Sequence, residues 1–221
     1  MEYGKAPGQH GIWDLNFEEY MHYMYLPIHI PERPNRIDWP KNLGFAADLI
    51  EHVIHHEWEI RRNRTSHIYV TARRGYATPG NPLNRPGWHS DGFGTDDINY
   101  VWTDRFPTLF AIGDFGNIST DHVESSEQFT HRAEHWKPMT LQTYQDKELL
   151  RLDPSVIHTA PPIPAPGGER SFFKISFSNQ RYNLKGNAHN HLLDYEWPMY
   201  DRQTVRNDPH RAQDDTVKEE K

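Results

Sequence analysis

The chain predicts a mainly β fold with flanking helices. Three observations carry that prediction. Short segments with period-two alternation, the mark of half-buried strands, recur through the middle of the sequence. The 17 prolines and 14 glycines punctuate these segments as turns. Only residues 45–62 show clear helical periodicity. Many short strands at such spacing read as a sandwich or barrel.

Taken in order, residues 1–44 are rich in proline and aromatic side chains and predict an extended arm with a short strand. Its aromatic part, residues 12–39, reads as cover for the core, with a substrate lid as its other use. In the helix, Leu49, Ile50, Val53, Ile54 and Trp58 recur at three- and four-residue steps. Asp48 and Glu51 come early and Arg61 and Arg62 late, matching the helix dipole. Such a helix packs on the outside of a sheet.

Residues 67–73 alternate, with Ile68, Val70 and Ala72 on one face and His67, Tyr69 and Thr71 on the other. A loop around 75–87, with Pro79, Pro82 and Pro86, leads into a strand at His89. Residues 92–106 read as a loop, 108–115 as a strand and 116–137 as a polar loop. Residues 139–144, 148–152 and 156–158 predict short strands, and 170–178 a final core strand. In that last strand Phe173, Ile175 and Phe177 share one face, and Arg170, Phe172, Lys174 and Ser176 the other. A mostly polar inward face is costly in an ordinary core. It makes sense lining the mouth of a site.

The expected organisation is one domain over 1–205, with a core of about 66–178 and the arm and helix as additions. Residues 206–221, charged and nearly free of apolar groups, predict disorder. Of the 221 residues 35% are hydrophobic, so the 7 Trp, 11 Tyr and 10 Phe must supply much of the burial. The absence of cysteine excludes disulfides and thiolate metal sites and suits a reducing, cytoplasmic setting. No apolar run is long enough for a membrane helix, and the first residues lack a signal peptide's apolar core. A net charge of -7 argues against general nucleic-acid binding. Against that balance, residues 60–90 hold Arg61, Arg62, Arg64, Arg73, Arg74 and Arg85 and no acid. That local basic zone leaves an anionic ligand open. Asp96, Asp97 and Asp104 follow it, either to cap those arginines or to receive a cationic substrate.

Most of the 15 histidines are not expected to be ligands. His55 and His56 are adjacent, so they cannot both join His52 on one helix face. His189 and His191 lack a clear carboxylate partner. The pattern that stands out is Trp88-His89-Ser90-Asp91-Gly92, followed by a distant His158 and then Arg170. On a strand, His89 and Asp91 point to one face. Two imidazoles and a carboxylate form the facial triad that holds non-haem Fe(II) and leaves positions open.

The order HxD, distant His, then an Arg about a dozen positions later resembles the Fe(II)/2-oxoglutarate-dependent dioxygenases over roughly 66–178. The resemblance implies a double-stranded β-helix core, jelly-roll and cupin-like. It implies Fe(II) held by His89, Asp91 and His158, and a 2-oxoglutarate cosubstrate whose distal carboxylate pairs with Arg170. Ser176, Lys174, Tyr69 and Thr71 are the further candidates for binding the cosubstrate. Many relatives place Ser or Thr two residues after that Arg, where this chain has Phe172. The implied reaction is hydroxylation of a small molecule, charged or neutral, or of an exposed residue, or a desaturation or demethylation variant, with release of succinate and CO2. A cupin-like metal-dependent isomerase or hydrolase without oxo-acid, and a non-catalytic ligand-binding β-sandwich, are the alternatives.

Overall fold

The computed structural model describes residues 1–61 and 66–202. The segment expected to be disordered, 206–221, and Arg62 and Arg64 of the basic zone lie outside the described residues. The chain is mainly β, with two α-helices and two antiparallel sheets. The strands are β1 (Gly8–Ile12), β2 (His22–His29), β3 (His67–Ala77), β4 (His89–Ser90), β5 (Ile98–Thr103), β6 (Leu109–Ile112), β7 (Thr140–Gln142), β8 (Glu148–Leu152), β9 (Ile157–Thr159) and β10 (Gly168–Ser178). The helices are α1 (Ala47–Arg61) and α2 (His122–His135). Six strands in the order β1-β8-β5-β10-β3-β2 make the large sheet, and β4-β9-β6-β7 the small one.

Helix α1 lies where its apolar stripe requires. Leu49, Ile50, Val53 and Ile54 pack with Ile68, Val70 and Ala72 of β3 and Phe173, Ile175 and Phe177 of β10. The opposite face of the large sheet meets the small sheet, where Val101, Leu150, Leu152 and Phe172 pack with Phe110. Helix α2 packs Phe129 and Ala133 against Ala111, Phe115 and Ile157. No helix among the described residues is long and apolar enough to cross a membrane.

Three expectations are corrected. The N-terminal arm is woven into the large sheet, with β1 paired to β8 at one edge and β2 to β3 at the other. Residues 98–103, expected in a loop, form β5, paired with β10 and β8 and buried throughout. Both faces of β5 are covered, so its sequence lacks the alternation of a half-buried strand. Residues 116–137 contain α2 instead of only a loop. Its start is set by Asp121, whose carboxylate accepts from the Val123 and Glu124 amides at 2.8 and 2.9 Å.

Candidate metal centre

His89 and His158 are direct cross-strand partners in the β4–β9 ladder. Partners in such a ladder keep their Cβ atoms about 5 Å apart. The two rings are tilted, with centroids 4.5 Å apart. Ser90, between the ligands, donates its hydroxyl to the Pro154 carbonyl at 2.5 Å, which fastens β4 to the turn before β9.

Because β4 stops at Ser90, Asp91 is placed by a turn and not by strand pleating. Gly92 has φ +81°. A Cβ there would sit 2.9 Å from the Asp97 Cβ and 3.0 Å from the Thr95 hydroxyl, so only glycine fits. The Thr95 amide closes the turn on the Gly92 carbonyl at 2.9 Å. The result brings one ligand atom each from His89, Asp91 and His158 within 4.8 Å of one another. His89 Nε2 is 3.6 Å from Asp91 Oδ1, and His158 Nε2 is 4.0 Å from Asp91 Oδ2. This is the one such group among the described residues.

Protonation suits metal binding. His89 Nδ1 lies 2.7 Å from the Gly87 carbonyl, which can only accept, so Nδ1 carries the proton and Nε2 offers a lone pair. Burial lowers the pKa of both imidazoles, and His158 falls to about 3 as His89 and Lys174 outweigh the pull of Asp91. Neutral imidazole is the ligating form. Burial alone would raise the Asp91 carboxyl. Lys174, followed by the two imidazoles, instead holds it well below the usual carboxylate range. The residues fit a divalent ion of the facial-triad kind.

Lys174, one of the candidates read from the sequence, lies directly beside the triad. Its Nζ donates to Asp91 Oδ2 at 2.9 Å and lies 3.5 Å from the Tyr25 hydroxyl. Burial opposes its charge, but Asp91 raises its pKa above the usual lysine value. Tyr25 arrives through an irregularity in the β2–β3 pairing, with φ +49° and its amide donating to Thr71 Oγ1 at 3.1 Å. Nothing in the arm's sequence marks Tyr25 for this place, because only the pairing of β2 with β3 brings it there.

A cavity of about 410 Å³ opens beside the triad. His89, Asp91, His158, Lys174, Arg73 and Tyr25 are in its wall, along with Thr71. Arg170 is not. It is 1% exposed and faces a different set of partners. Nε donates to the Phe106 carbonyl at 3.0 Å and Nη1 to the Pro82 carbonyl at 3.2 Å and to Asn84 Oδ1. Burial lowers its pKa to about 10. Arg170 thus braces the 82–84 loop, of which Asn84 reaches the cavity.

Of the remaining candidates, Ser176 donates to Asn99 Oδ1 at 2.6 Å and is buried away from the cavity. The Tyr69 hydroxyl donates to the Gln180 carbonyl at 2.9 Å, and its ring stacks on Tyr182. The basic zone divides. Arg73 and Arg85 reach the cavity wall, whereas Arg74 pairs with Glu169 at 2.6 Å and Asp104 at 3.5 Å. Asp97 accepts from the Tyr182 hydroxyl at 2.5 Å.

No protein-family model matches this chain. No curated protein matches its sequence. Among solved structures the chain is similar to the crystal structure of a full-length Neurospora crassa protein in complex with alpha-KG. The identity is 11% and the TM-score 0.38, over 93% of this chain and 74% of that one. A likeness that distant carries no argument about fold or function. The residues themselves carry the functional reading.

Proposed function

We propose that this chain is an Fe(II)/2-oxoglutarate-dependent oxygenase. The observation that carries the reading is the meeting of two imidazoles and a carboxylate at a cavity walled by Lys174 and Arg73. The path of the strands supports a double-stranded β-helix core. From β3 to β10 the chain alternates between the sheets, except that β6 and β7 both join the small sheet.

His89, Asp91 and His158 would hold the iron, which when bound supplies oxygen activation coupled to oxidative decarboxylation of the oxo-acid. The chain's residues orient and desolvate. The Gly87 carbonyl orients His89, and Lys174 orients Asp91. Tyr25 and Phe172 cover the cavity from the large sheet. We assign the anchoring of the distal carboxylate to Lys174, with Arg73 as the second cation. Arg170 spends Nε and Nη1 on the Phe106 and Pro82 carbonyls and on Asn84, and it lies outside the cavity wall. The same cations favour a small anionic prime substrate, and hydroxylation is the reaction proposed for it.

The engagement of Arg170 with carbonyl oxygens favours one other reading, a cupin-like metal-dependent isomerase or hydrolase that uses no oxo-acid. Anaerobic titration with Fe(II) and then 2-oxoglutarate separates the two. The oxygenase gives a visible metal-to-ligand charge-transfer band that His89→Ala removes. Iron binding with no band at saturating oxo-acid would sink the oxygenase and leave the alternative.

A further inference from the structure

Three histidines unrelated to the cavity meet on the outer side of the large sheet. His52 and His56 are four apart on α1, so they share a face, and their rings are stacked with centroids 6.3 Å apart. His10 comes from β1, an edge strand with an irregular register between Gln9 and Ile12, where Gly11 has φ +81°. Its ring centroid is 4.4 Å from that of His56 and 6.1 Å from that of His52. Three imidazoles on one tetrahedral ion, with metal–nitrogen bonds of about 2 Å, place their centroids roughly 5 Å apart. The three spacings bracket that value.

We propose that His10, His52 and His56 form a second metal site, of the zinc type, that clamps the N-terminal strand to helix α1. The environment of His56 is the second observation. The Tyr100 hydroxyl donates its one proton to Glu57 Oε2 at 2.8 Å, so toward His56 it can only accept. His56 Nδ1, 2.6 Å from that hydroxyl, therefore carries the ring proton and leaves the Nε2 lone pair free for a cation. Imidazole, hydroxyl and buried carboxylate form the orienting relay that metal-bound histidines use. Arg151 holds the Glu57 carboxylate from the other side at 2.9 and 3.0 Å, which neutralises it. The relay therefore stays rigid without a net charge that would repel an incoming cation.

The rest of the surroundings agree. Burial, followed by the other two imidazoles and Arg151, keeps His10 below the usual histidine pKa against the pull of Glu57. Burial also lowers His56. Both are therefore neutral and ready to ligate at ordinary pH. Among the described residues, only the cavity triad already has its ligand atoms within 4.8 Å. Closing the outer site requires His52, which is exposed, to swing inward. The Trp13 ring, 5.0 Å from the His52 ring, borders one side of the site. An all-imidazole set selects zinc, copper or nickel over magnesium or calcium. A water in the fourth position would complete the tetrahedron.

The proposal does not rest on the oxygenase reading, and its test removes the cavity site first. The full chain carrying His89→Ala and His158→Ala is titrated with Zn(II), and with Co(II) as a coloured probe. The expected result is one equivalent bound in the micromolar range or tighter, with the visible bands of tetrahedral cobalt and a higher Tm. Adding His10→Ala or His52→Ala, both at partly or fully exposed positions, weakens binding at least tenfold. Tyr100→Phe, which removes only the relay hydroxyl, weakens it roughly ten- to 100-fold. Absence of binding in the doubly substituted chain overturns the proposal. So does binding that His10→Ala and His52→Ala leave unchanged, which would assign the metal to other histidines.

Discussion

The two clusters of imidazoles differ in the feature that matters most, the carboxylate among them. At the cavity, Asp91 stands between His89 and His158 and is half-buried against Lys174. At the outer cluster the carboxylate, Glu57, stands one step back and reaches His56 only through Tyr100. The first arrangement sets an anion beside two imidazoles at the wall of a cavity, which is what the proposed iron chemistry would need. The second would surround an ion with neutral rings at the junction of an edge strand and a helix, where an ion would tie the two together. The two clusters therefore divide by where the carboxylate stands, among the rings at the cavity and one step behind them at the outer cluster.

The largest predicted effect tests that division directly. His89→Ala or Asp91→Ala should lower 2-oxoglutarate-dependent succinate release at least 100-fold, roughly the upper end of what changes around a metal ligand cost. His10→Ala should leave it unchanged. Measured by NMR, equal losses from the two clusters would erase the distinction.

The next test asks which cation belongs to the cavity. In iron-loaded protein, Lys174→Met should raise the Kd of 2-oxoglutarate at least tenfold, as expected when a charge-assisted hydrogen bond is lost. Arg170→Met should instead cost about 2–4 kcal/mol of stability, because it leaves the Phe106 and Pro82 carbonyls without their donor. Calorimetric titration and denaturant melts of both variants check this. The reverse pattern would restore Arg170 as the anchor.

Acid should cost more stability through the buried imidazoles than through the outer ones. Burial depresses His67 to about 4, and the residue is 5% exposed. A base with a lowered folded pKa binds fewer protons folded than unfolded. Stability is therefore complete above its unfolded value near 6.5 and is lost as pH falls toward 4, by up to about 3 kcal/mol. His158, lowered to about 3, adds to the loss in metal-free protein. His67→Phe should flatten the pH dependence of the denaturation midpoint between 6.5 and 4. An unchanged slope would show that His67 is not responsible. The smallest effect is expected at the α2 cap. Asp121→Ala should lower the denaturation midpoint slightly in denaturant melts and leave metal binding unchanged.

Much of the cavity was legible in one dimension. The alternation in β10 separates Phe173, Ile175 and Phe177 from Lys174 and Ser176, and the structure keeps that division. Strand pleating is local, so faces survive translation from sequence to fold. The strand β5 escaped because burial on both faces removes the alternation. Helix α2 escaped because its core contribution is only Phe129 and Ala133 on an otherwise polar segment. Periodicity alone does not separate Arg170 from Lys174 as the cation beside the triad. Both point inward from one strand, and only the 82–84 loop and Phe106, folded against the end of β10, occupy the first of them.

By itself, then, the sequence determined the kinds of candidate ligand, their order and the faces of the strands, since each depends on near neighbours along the backbone. The tertiary structure alone decided which cation meets Asp91, that Tyr25 covers it, and that His10 finds His52 and His56. Those meetings depend on how distant segments pair at the sheet edges and which carbonyl oxygens they leave in need of a donor, and no local periodicity records either.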